Sequence, residues 1–289
     1  MAKKMTCAWW AGKDEENGFY SSFQMPALVY GSDIPEQGVV SPFDKSGPSD
    51  SQLEAIEKMV LVQFSDFTML PAKKLIRLKE IKILNHQKIQ IENFNGIEQL
   101  PQLEFLEIDA AGDSPLDISS LGAVRSLKIL KIPYCPLADP RQLSILKGLT
   151  QLDVAGCGLK DLSSIAALDK LKELRLDENK IASLAPLKEL KNLRRLNLDE
   201  TRINDLTALS SLAKIEKLSA ADNQISDISS LAQLKSLSDL NLFKNKITDV
   251  NALVDLKNLR VLNLSQNHVH GVASLKQPSI KIYWDGQKI

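Results

Sequence analysis

Between residues 193 and 214 the chain reads LRRLNLDETRINDLTALSSLAK, with Leu or Ile at 193, 196, 198, 203, 206, 209 and 212 and polar residues in almost every place between. The spacing fits neither one amphipathic helix nor a run of ordinary strand. Sliding the window by 22 residues finds the same pattern starting at 127, 149, 171, 215, 237 and 259. Seven copies hold one register without a gap. Two earlier turns fit once insertions are allowed, through Leu103, Leu106 and Ile108 and through Leu78, Ile81 and Ile83. Self-similarity at a fixed short period is the mark of a solenoid, here with about nine turns.

The local chemistry of one period predicts its elements. The LxLxx segment alternates, so it reads as a short strand with its leucines turned inward. Successive strands would then stack as a parallel sheet. At the ninth position of each turn stand Cys135, Cys157, Asn179, Thr201, Asn223, Asn245 and Asn267. There the chain leaves the strand, and a buried amide can satisfy backbone groups of its own loop and of the next turn. Asp161, Asp205, Asp227 and Asp249 precede segments of about six residues and can cap them. Segments so short favour 3₁₀ turns over full α-helices.

The motif LxxLxLxxNxIxDLxxLxxLxx resembles the leucine-rich repeat family over residues 78–275. Its 22-residue length and its Asp-Leu/Ile-x-x-Leu half are similar to the class shared by bacterial internalins and the regulatory subunit of the type-one protein phosphatase. The resemblance implies a curved right-handed α/β solenoid. The parallel sheet would line its concave face, with 3₁₀ or helical turns on the convex face and capped ends. It also implies a bacterial, non-catalytic protein-binding module.

A solenoid turn cannot bury its leucines alone, so the ends need covers. Residues 49–77 are expected to form a helical and strand cap. Ser49 and Gln52 make a capping box, and Leu53, Ile56 and Met59 share one helix face. Residues 276–289 contain SIKIYW, whose alternation predicts a closing strand with Ile280, Ile282 and Trp284 inward. Residues 1–48 do not repeat. They hold seven of the 15 aromatics but a single leucine, Leu28. MTCAWW and FYSSFQMPALVYG read as two strands around a charged turn. The region either caps the first turns or exposes Trp9 and Trp10 for docking.

Charge and reactive groups narrow the function. The 36 basic and 36 acidic side chains balance to zero, which gives no support to nucleic-acid or membrane-surface binding. No apolar run approaches the roughly 18 residues of a membrane span, and the N-terminus lacks a signal-peptide core. A cytoplasmic monomer is expected. An exported effector without a cleaved leader, or a chain whose leader has been removed, would read the same way. Three cysteines argue against a disulfide framework; Cys135 and Cys157 are expected as reduced, buried ladder residues. His268 and His270 form an HxH pair without a third ligand, so no metal is expected. No cofactor motif is present.

Function is therefore expected on the exposed strand positions of the concave face. Phe105, Tyr134 and Phe243 are apolar where the repeat requires no apolar group. Asp177, Glu178, Asp199, Glu200 and Asp222 form an acidic patch over three turns, with Arg175 and Arg195 among them. These ten residues are the expected protein-binding surface, and a basic partner would fit the acids. An enzyme inhibitor or immunity-type protein masking a basic active site is the alternative. An enzyme with its site in the N-terminal region is the third reading.

Overall fold

The computed structural model describes residues 6–9, 26–29, 53–55, 57–62, 70, 72–84, 91, 94–109, 114–275 and 280–285. The chain divides into two units, Met1–Ala138 and Asp139–Ile289.

The first unit begins with β1 (Thr6–Trp9) and β2 (Pro26–Val29), an antiparallel pair with Thr6 opposite Val29. Both strands fall inside the two segments expected to form them. The side chains of Trp9 and Trp10, proposed for docking, lie outside the described residues, as do Ser49 and Gln52. Then come four strands: β3 (Lys58–Val62), β4 (Glu80–Leu84), β5 (Phe105–Asp109) and β6 (Ile129–Lys131). They pair in parallel, with Met59 opposite Ile81, Ile81 opposite Leu106 and Leu106 opposite Leu130.

Strand β3 corrects one expectation. Met59 does not extend a capping helix; it is buried in a strand. Residues 56, 59 and 61 repeat the spacing of Leu78, Ile81 and Ile83. The first strand of the solenoid therefore begins one turn earlier than the leucine spacing suggested.

The second unit carries seven strands: β7 (Gln151–Asp153), β8 (Glu173–Arg175), β9 (Arg195–Asn197), β10 (Lys217–Ser219), β11 (Asp239–Asn241), β12 (Val261–Asn263) and β13 (Lys281–Tyr283). All pair in parallel and in register, so Leu152, Leu174, Leu196, Leu218, Leu240, Leu262 and Ile282 form one column. The six leucines are buried, whereas Ile282 and Trp284 of the expected closing strand are only half-buried. The return segments between β7 and β12 are short 3₁₀ turns, such as Thr207–Ser211 or Ser229–Gln233. Asp161, Asp205, Asp227 and Asp249 each accept from the backbone N–H two residues on, at 2.7–2.9 Å. Those bonds satisfy donors that a helical start would leave orphaned.

The ninth-position column is an interior amide ladder. Asn223 is the fullest case. Its Oδ1 accepts from Thr201 N, Thr201 Oγ1 and Ile203 N, each at 3.1 Å, and its Nδ2 donates to Leu198 O and Ala221 O. Asn179, Asn245 and Asn267 likewise accept from the preceding turn and donate to carbonyls of both turns. Cys135 and Cys157 occupy two places in the column as buried cysteines outside any disulfide. Each donates weakly to the carbonyl two residues earlier, Pro133 O at 3.4 Å and Ala155 O at 3.5 Å.

The position just before the ladder is left-handed in every one of these turns. Tyr134, Glu178, Glu200, Asp222, Lys244 and Gln266 have φ between 51° and 58°, and Gly156 has 63°. Only one of the seven is glycine. The corner is imposed by the ladder and the strand on either side of it, against a local cost of about 1–2 kcal/mol per residue.

Candidate functional site

The strand face of Asp139–Ile289 is built from two columns of side chains. The outer column, the third residue of each turn, runs Gln151, Glu173, Arg195, Lys217, Asp239 and Val261. The inner column, the fifth residue, runs Asp153, Arg175, Asn197, Ser219, Asn241 and Asn263. Strand alternation points both outward, while the leucine between them goes to the core.

The inner column is partly consumed by the backbone. Asp153, Asn197, Asn241 and Asn263 each accept, through Oδ1, the N–H two residues further on, at 3.0–3.2 Å. Ser219 is bonded differently. In its turn the N–H of Ala221 goes instead to Asp199 of the preceding turn, at 2.6 Å, and Ser219 Oγ donates to the same carboxylate oxygen at 2.6 Å. Burial pushes the Asp199 carboxyl above the ordinary range. The two hydrogen bonds oppose that shift without cancelling it.

Arg175 acts in a similar way in the turn before. Its guanidinium lies 3.2 Å from Asp153 and 3.1 Å from Asp177, both only 7% exposed. Along the outer column, Arg195 reaches Glu173 at 3.1 Å and Lys217 reaches Asp239 at 3.6 Å. Asp222 is paired with Lys244 in the next turn.

These side chains enclose an open groove of about 490 Å³ across β8 to β13. Glu173, Arg195, Lys217 and Asp239 stand along it. Asn197, Ser219, Asn241 and Asn263 form the inner wall with Asp199 and Arg175, and Val261 and Tyr283 close one end. The Tyr283 ring is 44% exposed, with the Lys281 ammonium 4.9 Å from its centre.

The expected binding residues separate on this geometry. Arg175, Arg195 and Asp199 line the groove. Asp177 is buried beneath Arg175. Glu178 and Glu200 sit exposed at the left-handed corners, and Asp222 and Phe243 are half-buried. The acidic patch is thus not an open anionic surface. Two of its five members hold backbone or guanidinium groups, and a third is paired with a lysine. In the first unit, Phe105 is half-buried with the Lys82 and Lys131 ammoniums each 5.5 Å from its ring. Tyr134 is 54% exposed. His268 and His270 are exposed, and no cluster of metal-ligating side chains occurs among the described residues. The same residues contain no helix long and apolar enough to cross a membrane.

Comparison with known proteins agrees with this architecture. The leucine-rich repeats (2 copies) model matches residues 169–211 and 213–255. An internalin of Listeria monocytogenes, inlF, is 26% identical with a TM-score of 0.72, over 86% of this chain and 70% of that one. Internalin C2 of the same organism is 30% identical with a TM-score of 0.58, over 61% of this chain and 79% of its own. The chain belongs to the leucine-rich repeat family. Its repeats resemble those of the internalins. A complex of TLR13 with ssRNA13 is 20% identical with a TM-score of 0.66, over 82% of this chain and 37% of that one, a likeness of fold alone. None of the curated proteins matches the chain in sequence.

Sequence reasoning put Lys217 and Asp239 on the exposed strand face without choosing them as binding residues, and it missed Tyr283. The first two occupy the same outer column as Arg195, and that column was the available signal. Tyr283 alternates with Ile282 and Trp284, so its outward direction was implicit in the strand expected there.

Proposed function

We propose that the chain is a non-catalytic protein-binding module and that its partner seats in the groove over β8 to β13. The leucine-rich repeat fold is commonly a protein interaction module, but fold alone does not choose a ligand. The groove's charge pattern supports a protein. Acidic and basic side chains both stand along it, with amides and one exposed aromatic ring at its end. A phosphate backbone would call instead for a continuous basic stripe. A basic active site would call for unpaired acids, and the patch expected to supply them is largely occupied by this chain's own groups. That pairing weighs against the inhibitor reading.

Tyr283 supplies a rigid amphipathic anchor, and the ionic column supplies orientation and association rate. A partner recovered with the full chain should bind Tyr283→Ala with faster dissociation. Arg195→Glu should mainly slow association. Surface plasmon resonance separates the two effects. If both variants bind like the parent while Tyr134→Ala or Phe105→Ala does not, the partner uses the first unit and the groove assignment is wrong.

A further inference from the structure

The outer column of the groove has an order that a random solubilising surface does not require. From β8 to β12 it runs acidic, basic, basic, acidic, apolar: Glu173, Arg195, Lys217, Asp239, Val261. Lys217 stands directly opposite Arg195 in the strand register, so two cations are neighbours at the middle of the groove. Each leans away from the other, toward its outer acid. All four side chains are between 32% and 56% exposed, and solvated pairs of this kind hold their partners weakly. The centre is therefore a place where a single anion would be shared by two cations, with an acid standing on either side.

We infer that the groove recognises an extended polypeptide segment with the pattern basic-x-acidic-x-basic-x-apolar, lying across the strands. This rests on the groove reading above and specifies its ligand. The spacing comes from backbone geometry. Neighbouring strands lie about 4.8 Å apart, which puts Glu173 about 14 Å from Asp239 and the point between Arg195 and Lys217 about 7 Å from each. In an extended segment, alternate side chains on one face repeat every 6.4 to 6.8 Å or so. A central acidic residue over the Arg195–Lys217 gap thus places basic residues two positions before and after it near Glu173 and Asp239. The next residue on that face falls about 20 Å from Glu173, between Val261 and Tyr283, where an apolar side chain has cover. Asn197, Asn241 and Asn263 stand beside this path, able to bond the segment's backbone.

The test uses labelled synthetic peptides with the full chain. One carries Lys-Ser-Glu-Ser-Lys-Ser-Leu, one has each charge reversed, and one is a scramble. Fluorescence anisotropy at low salt should show the first binding at least tenfold more tightly than the other two. Arg195→Glu combined with Lys217→Glu should lose the preference for the first peptide and bind a fourth, Lys-Ser-Lys-Ser-Lys-Ser-Leu, more tightly than the first. Arg195→Ser with Lys217→Ser should lose discrimination without reversing it. Circular dichroism checks that both double variants fold. Equal binding of the first peptide and its scramble, or no binding of either, overturns the pattern. A random peptide display selection then separates the two levels. Selected binders that lack the pattern but are lost on Arg195→Glu leave the groove standing and remove only the pattern. Binders indifferent to every groove variant, or none at all, remove both.

Discussion

At the scale of single residues, the interior amides and the left-handed corners govern what can be changed. Asn223 accepts three donors and gives two bonds from a site only 7% exposed. Asn223→Leu strands those groups in the interior and should cost about 1–3 kcal/mol in a denaturant melt. Gly158 has φ +75°, yet a Cβ built on it meets nothing within 4 Å. Gly158→Ala should therefore lose about 1–2 kcal/mol from backbone conformation alone, with no clash to relax. An unchanged midpoint would show that the loop shifts to a negative φ without resistance. Such positions are only half legible in the sequence. The ladder could be read because Asn recurs every 22 residues. The corner could not, because Tyr, Glu, Asp, Lys and Gln all fill it and only one turn has glycine.

At the scale of elements, each turn is a strand, a ladder step and a capped 3₁₀ segment. Side-chain hydrogen bonding to Ser163 and Thr207 holds the Asp161 and Asp205 carboxyls below their usual range, and the Ser229 backbone N–H does so for Asp227. The folded state therefore favours their ionised form. Their contribution is present above the ordinary carboxyl value near 4 and disappears as pH falls through the lowered values. Asp205→Ala should lower the melting temperature near pH 7 and cost nothing once both forms are strongly acidified. Melts across pH 2–7 would show the two curves converging. Asp199 has the opposite sign. Burial raises its carboxyl, so its contribution improves as pH falls from neutrality through the raised value. Strand β3 shows why element boundaries were harder to read than the repeat. Leu53, Ile56 and Met59 fit a helix face, while 56, 59 and 61 fit a strand turn. Both readings share residues 56 and 59, and only the register of Met59 with Ile81 decides between them.

At the scale of the whole molecule, the second unit is close to one-dimensional: each turn meets only its neighbours, so stability is a chain of nearest-neighbour links. Leu218→Ala empties a site 2% exposed and should cost about 2–5 kcal/mol. Combined with Leu196→Ala, its register partner, it should depart from additivity by at least about 0.5 kcal/mol. Leu174→Ala and Leu262→Ala, four turns apart, should add. Additive behaviour in both pairs would mean the turns are not coupled as the sheet implies. The repeat made this organisation readable, since burial recurs at a fixed period. The groove was less readable because its chemistry depends on what stands one turn away. Asp177 and Asp199 look exposed by position, yet the first is claimed by the Arg175 guanidinium of its own turn and the second by the Ala221 N–H and Ser219 hydroxyl of the next.

The bond from the Ala221 N–H to Asp199 makes the local surface charge conditional on a residue elsewhere. Asp199 takes the N–H of the Ser219 turn, while asparagine in the equivalent place at 197, 241 and 263 serves its own turn. One substitution, Ser219→Asn, would return that duty to its own strand and release a carboxylate toward the groove. Binding specificity could then drift through a change that alters no formal charge and leaves every leucine in place. A comparison that scores only charged positions would not register it.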